Sequence, residues 1–414
     1  MPEAATQSPG AMALQRFWRA PSVRYATWAL IALVLLAVYA PFLASEVALV
    51  WVDGQGLRLP LVADLFNRGT YERPHDLLFN ILALLLPFLV AGWWLLRRRW
   101  TTGRRLSGGI AVVVLAWFAA MTPLPQGGGW RALWDYRPGS PHTSTALAEL
   151  EAHGSATQAA PFAILPPIPH RVGATYAGAN LAAPGAVNPI TKARFWLGTD
   201  VSGRDVAATM LFGARVSLTI GLVATGLIIL IGTIIGGVSG YFGGMVDLLL
   251  QRLVEIMLCF PTFILVLTVV AMTSRSIFII MLVLGLTGWA GTARLVRGEF
   301  LGQAVRDYVV AAEALGLPRW RIMFRHILPN TMAPLIITAT FSVAGAVLAE
   351  SGLAFLGLGD PTSPSWGLLL NEGRENINYA WLIYAPGLAV FLLVTCLNLI
   401  GNGLRDAFDP KSER

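Results

Sequence analysis

Lysine is almost missing from this sequence: Lys192 and Lys411 are the only two in 414 residues. No Gly-x-x-x-x-Gly-Lys-Ser/Thr stretch occurs, so the chain lacks a phosphate-cradling loop of that type. Cysteine is as scarce. Cys259 and Cys396 both sit inside apolar runs, which leaves neither a disulfide framework nor a cysteine metal site. Charged residues make up only 13% of the chain, and a soluble domain carries roughly twice that share. His142 and His153 stand in no ligand spacing, so no metal site is read from them. Neither a protease-type Ser/His pair nor a zinc-type His spacing falls on an apolar run, which argues against a membrane enzyme and against catalytic residues in this chain.

What is present is apolar length. Hydrophobic residues make up 55% of the sequence, and several runs approach the ~20 residues that cross a bilayer. The expected class is therefore all-α and polytopic, seated in a lipid bilayer. The net charge of +7 is mostly arginine near the ends of apolar runs. That placement reads as a topology signal and not as nucleic-acid binding, because no arginine-aromatic groove pattern accompanies it.

One polar, basic stretch between two apolar runs stands out: Asp307 to Asn330, DYVVAAEALGLPRWRIMFRHILPN. Tyr308, Ala311, Ala312 and Leu315 repeat at helical spacing, which predicts a short helix with an apolar, mostly small face. Gly316 is placed to end that helix in a left-handed turn, and Pro318 suits the first turn of a second. Trp320, Met323, Phe324 and Ile327 repeat the spacing there, while Arg319, Arg321 and Arg325 take the other faces. Pro329 is expected to stop the second helix, having no N–H to offer. Ala312 and Gly316, one turn apart, predict a small surface that a partner could approach closely.

The order Ala311-Ala312, Gly316, Leu328-Pro329 resembles the "EAA" loop of permease subunits in bacterial ABC importers. Asp307-Tyr308 before it and His326 to Asn330 after it resemble the dipeptide/oligopeptide/nickel branch, in its C-type subunit. The string Leu197-Gly198-Thr199-Asp200-Val201-Ser202-Gly203-Arg204-Asp205-Val206 is similar to the "LGTDxxGRDV" motif of the same subunits. From Ala214 onward the resemblance covers roughly half the chain. It implies a six-helix permease core in the bacterial inner membrane and transport of peptides by alternating access. The implied partners are a second, B-type permease, two ABC ATPase subunits and an extracytoplasmic binding protein. ATP and Mg would be bound by the partner ATPases, with no cofactor in this chain. The loop would dock on the ATPase through Asp307, Ala311, Ala312, Gly316, Arg319, Arg325, Leu328 and Pro329. The family's leading Glu falls on Val310, so an ion pair from that position is not carried over.

With that frame the chain divides by composition. Residues 1–26 form a cytoplasmic tail carrying Arg16, Arg19 and Arg24, and 27–45 a first span. A basic start and small residues would also fit a signal peptide; the resemblance implies an uncleaved span. Residues 46–125 hold an outer loop and an extra transmembrane hairpin with Arg97-Arg98-Arg99 and Arg104-Arg105 at its tip, an inside signal. Residues 126–205 form a Gly- and Pro-rich extracytoplasmic loop. There Asp200 or Ser202 could cap the following helix. Residues 206–404 form the permease core, its coupling loop at 305–330, and 405–414 a cytoplasmic end.

Within the core, Ser239 to Gly244 reads as a short turn, and Pro261 as a bend. Gly232, Gly236, Gly237 and Gly240 give small-residue spacing for close helix packing. Glu255 and Glu350 are ionisable groups in apolar runs, which makes them translocation-pathway candidates. Nickel, an opine or a peptide-like antibiotic stays open as cargo, since the motifs do not encode it. A channel or secondary transporter working alone is the reading from a different class.

Overall fold

A computed structural model of the chain describes residues 9–53, 56–96, 102–122, 124–126, 129–131, 133–135 and 162–409. His142, His153 and the arginines 97–99 lie outside the described residues. The helices are α1 (Pro9–Arg19), α2 (Pro21–Val38), α3 (Ala40–Leu43), α4 (Pro60–Asp64), α5 (Pro74–Leu95), α6 (Thr102–Met121), α7 (Val206–Phe242), α8 (Gly244–Cys259), α9 (Thr262–Met272), α10 (Ile277–Ala304), α11 (Asp307–Ala314), α12 (Arg319–Ile322), α13 (Met332–Phe355), α14 (Trp366–Glu375) and α15 (Trp381–Phe408). Among the described residues there are also five short strands, β1 (Val50–Asp53), β2 (Gly56–Arg58), β3 (Leu124–Gln126), β4 (Gly129–Arg131) and β5 (Phe162–Ile164).

Among the described residues, seven helices are long and apolar enough to cross a membrane, or eight when α8 and α9 count as one bent span. Eight is the number expected from the sequence. In the region read as an extra hairpin, α5 and α6 pack on each other through Leu77, Ile81 and Ala120, with Trp134 from beyond α6 in the same cluster. Outward they show Phe88, Leu95, Leu106 and Leu115, each more than half exposed, a surface suited to lipid. The chain divides into two compact units: Met1–Ala32, Ser217–Ser363 and Pro386–Arg414 form one, Leu33–Val216 and Pro364–Ala385 the other.

In the first unit the glycines of α7 act as the sequence suggested. A Cβ on Gly232 would fall against Thr292 and Ala293, one on Gly237 against Phe300, and one on Gly240 within 2.7 Å of the Arg297 carbonyl. Only glycine lets α7 and α10 approach this closely. Arg297 of α10 also grips both carboxylate oxygens of Asp247, on α8, at 2.6 and 2.7 Å, and Ser239 of α7 donates to the same carboxylate. Pro261 does bend the chain, with α8 and α9 meeting at 77°. The turn expected at 239–244 is shorter than predicted. Helix α7 runs on through Phe242, and only Gly243 and Gly244, at φ +62 and +54, break it. Gly240 and Tyr241 still pack on α10, and the helix ends only where Gly243 and Gly244 can turn left-handed.

In the second unit a small antiparallel sheet, ordered β2-β1-β5, places Trp51 opposite Arg58 and Ala163. Arg215 is fully buried. Its Nε donates to the Ala37 carbonyl at 2.7 Å and its Nη2 to Val38 at 3.0 Å, the last carbonyls of α2, which have no helical partner. Its Nη1 donates to Asn80 on α5 at 2.9 Å, so one guanidinium joins α2, α5 and α7. Asp200 does not cap α7, nor does Ser202. Asp200 accepts the backbone N–H groups of Ser202 and Arg204 and closes its own turn. Asp205 is the cap, accepting from the Ala208 N–H at 3.1 Å.

His170 and Asp205 are both fully buried, 2.7 Å apart. Asn188 Oδ1 accepts the N–H groups of Ile190 and Thr191, so its Nδ2 faces His170 Nε2 as a donor. Nε2 is therefore the acceptor, and the neutral imidazole carries its proton on Nδ1, toward Asp205. That ring, stacked on Phe195, organises an otherwise irregular segment.

Candidate functional site

The polar stretch folds as two helical pieces around a glycine turn. Asp307 opens α11 where a negative charge meets the positive end of the helix dipole. Gly316 closes it at φ +73. The Leu317 N–H reaches back to the Ala312 carbonyl at 3.2 Å and the Gly316 N–H to Glu313 at 2.9 Å. That pair of bonds is the Schellman arrangement, which needs a left-handed residue at this point.

The second piece departs from expectation. Pro329 does not stop it. Arg319 to Phe355 runs as a single span-length helix. Met323–Ile327 widens to a π-turn, and Leu328–Thr331 tightens to a 3-10 turn. The widening lets Leu328 donate to the Met323 carbonyl five residues back, which makes room for the proline ring. Asn330 Nδ2 satisfies the His326 carbonyl at 2.8 Å. The stretch is thus continuous with α13 and would pass movement directly into the membrane-spanning segment.

Its faces also differ from the sequence reading. Val309 and Ala312 point inward, packed with Val296, Phe300, Ile322, Met323, Ile327 and Leu335. Ala312, expected as a surface for a partner, is only 5% exposed and belongs to this cluster. Leu315, which the repeat placed on one face with Ala312, is 81% exposed, so the two do not share a surface. The inward face is taken by Val309, fully buried, together with Ala312. Of the second repeat, Met323 and Ile327 are buried, whereas Trp320 and Phe324 are 65% and 54% exposed. The exposed apolar side chains of the stretch are therefore Val310, Ala311, Leu315, Trp320 and Phe324, the last two lining a cleft with Ile234 and Phe242 of α7. Asp307, Gly316, Arg319, Arg325 and Pro329 are also exposed, while Leu328 is half-buried.

Side chains tie this element to the helices above it. Tyr241 at the end of α7 donates to Glu313 at 2.9 Å. Tyr308 donates to Gln303 on α10 at 2.7 Å. The Arg319 guanidinium lies over the Phe242 ring, 5.8 Å from its centroid. Sequence reasoning missed Tyr241, Phe242 and Glu313, because partners about 70 residues apart leave no local signal.

Glu255 and Glu350 fall in different settings. Glu255 is exposed and paired with Arg252 one helical turn away, at 2.6 Å. Glu350 is 2% exposed within α13 and accepts a bond from Ser351 at 3.4 Å. In the second unit, Arg204 bridges two carboxylates, Asp200 at 2.5 Å and Glu372 at 2.8 Å. Burial, with the nearby Asp200 charge, pushes the Glu372 carboxyl up to about 7 despite the arginine. Among the described residues no group of three or more His, Cys, Asp or Glu is placed to hold a metal.

A polytopic helical chain that presents a rigidly braced helix-turn-helix between spans defines a membrane-spanning transport component. Residues 228–414 match the family described as binding-protein-dependent transport system inner membrane component. The oligopeptide transport system permease protein OppC of Haemophilus influenzae is 40% identical over 226 residues, covering 54% of this chain and 72% of that one. The dipeptide transport system permease protein DppC of Bacillus subtilis is 39% identical over 222 residues, covering 53% and 69%. The glutathione transport system permease protein GsiD of Pectobacterium atrosepticum is 36% identical over 218 residues, covering 52% and 72%. The chain belongs to the family of inner membrane components of binding-protein-dependent transport systems. It is a multi-pass inner-membrane permease and not itself the catalytic component of such a system.

Proposed function

We propose that this chain is one permease half of an ABC importer for peptides, acting by alternating access. The observation that carries the reading is the braced element at 307–331. Its inner face is locked into α7, α10 and α13, and its outer face is apolar and uncovered. A surface of that kind suits the cleft of an ATPase subunit, and a stiff connection suits transmission of ATPase closure to the spans. The partners would be a B-type permease, two ABC ATPases that bind ATP and Mg, and an extracytoplasmic binding protein. Cargo follows from the relatives. By their names these relatives serve oligopeptides, dipeptides and glutathione, all peptide-bonded molecules, so peptides are favoured over nickel or an opine. A channel or secondary transporter working alone would have no use for the uncovered apolar element.

The test is purification of the tagged chain from its native membrane, followed by reconstitution in proteoliposomes. The reading expects stoichiometric ATPase subunits and ATP-dependent uptake of a labelled tripeptide when the binding protein is supplied. A chain that purifies without ATPases, or moves solute without ATP, would overturn it.

A further inference from the structure

The first eleven described residues form an amphipathic helix that the permease reading leaves unused. Helix α1 has Arg16 and Arg19 three apart, sharing a face with Met12 and Gln15. Leu14, Phe17 and Trp18, at i, i+3 and i+4, take the opposite face. No acid occurs between residues 9 and 45, while Arg16, Arg19 and Arg24 all do. Leu14 is 59% exposed and Trp18 is 37% exposed, so the chain's own fold leaves the apolar face open.

Two contacts fix where this face lies. Arg16 donates to the Asp409 carbonyl at the end of α15, at 3.3 Å. Val23, near the start of α2, packs against Gly403 of α15 so closely that a Cβ there would sit 2.9 Å from a Val23 methyl. Helix α1 is thus held at the point where two spans leave the bilayer, and α2 follows after a single residue, Ala20. Tyr25 and Trp28, both more than 60% exposed on the first turns of α2, mark the headgroup level, where aromatic rings collect.

We infer that α1 lies in the headgroup layer of the bilayer that α2 crosses, with Leu14, Phe17 and Trp18 toward the acyl chains and Arg19 and Arg24 binding phosphates of anionic phospholipids. An apolar arc opposite a polar one whose only charges are arginines is the pattern of a helix that binds in the plane of a charged membrane surface. A bilayer is already at hand on one side of Ala20, so no further partner is needed to cover the face. Continuity with α2 makes the surface concentration of α1 permanent, so even modest attraction per arginine would seat it.

The test uses the full transporter in nanodiscs, the permease carrying Cys259→Ser and Cys396→Ala. A spin label is placed at Leu14→Cys or at Gln15→Cys, and collision rates are read with oxygen and with a water-soluble nickel chelate. In phosphatidylglycerol-rich discs the Leu14 label should favour oxygen and the Gln15 label the chelate. Arg19→Gln with Arg24→Gln should shift the Leu14 label toward the chelate, with the seated population falling about fivefold per arginine. A Leu14 label open to the chelate in all discs would overturn the inference. So would one shielded from both reagents, since a partner protein would then cover the face. Depth that is the same in phosphatidylcholine discs and unmoved by the arginine substitutions would remove the anionic-lipid recognition.

Discussion

The Tyr241 hydroxyl donates to the Glu313 carboxylate across 2.9 Å, joining the last turn of a 37-residue helix to the short helix α11. A helix of that length measures about 55 Å, well beyond a bilayer core of about 30 Å. Its end can therefore reach an element outside the membrane and brace it there. Tyr241→Phe removes only the hydroxyl, a net loss of about 1 kcal/mol for a partly exposed bond. Insertion and complex assembly should be unchanged, while peptide-stimulated ATP hydrolysis per complex should fall. Stimulation equal to wild type at equal permease content would show that this brace carries no movement.

Gly316 is a matter of backbone alone. A Cβ added there meets nothing within 4 Å, yet φ is +73. Substitutions should therefore rank by tolerance of the left-handed region and not by size. Gly316→Asn is expected to retain most coupled transport, whereas Gly316→Val, strained by about 1–2 kcal/mol, should lose much of it. Equal transport by the two variants would point away from the Schellman turn.

Arg215 satisfies the buried last carbonyls of α2 and the Asn80 amide oxygen from inside the second unit. Arg215→Leu leaves buried acceptors without donors, at about 1–3 kcal/mol for each one left unpaired. The amount of folded, membrane-inserted protein should drop sharply, and Arg215→Lys, with fewer donors in a different geometry, should rescue it only in part. Gel filtration of a fluorescent fusion in mild detergent would measure both.

Glu372 introduces a pH dependence. Its carboxyl rises from an ordinary 4.5 to about 7, so the folded state holds the proton more tightly than the unfolded chain. Its contribution to stability is then fully present below about 4.5 and is lost as pH rises through about 7. The purified protein should melt at a lower temperature above pH 7 than below it. Glu372→Gln, neutral throughout, should flatten that slope, and an unchanged slope would assign it to other groups.

Much of this architecture could be read directly. Apolar run lengths located the spans, the four glycines of α7 marked the contact with α10, Pro261 marked the bend and Gly316 the turn, because each acts through local chain geometry. What stayed hidden depends on distant partners. Which face of α11 is buried depends on partners such as Phe300 and Leu335, so Ala312, expected as a surface for a partner, lies inside while Leu315 from the same repeat lies outside. The π-turn around Pro329 arises because α13 must continue, and an isolated proline gives no notice of that. The cap of α7 falls to Asp205 since Asp200 is consumed by its own turn. Arg215 and His170 sit in segments whose partners are elsewhere in the chain.

On the proposed function, the outward face of 307–331 is what the ATPase holds. Two aspartates separate docking from folding. Leu315→Asp puts a charge on an 81%-exposed position, so the permease should fold and pair normally. Ala312→Asp puts one into a cluster where the native side chain is 5% exposed, so folded protein itself should be lost. The direct measurement is ATPase-subunit retention and peptide-stimulated ATP hydrolysis by the reconstituted complex carrying Leu315→Asp, normalised to permease content. Loss of both with wild-type permease yield is the expected result. Full retention and wild-type stimulation would contradict the assignment of this face as the docking surface.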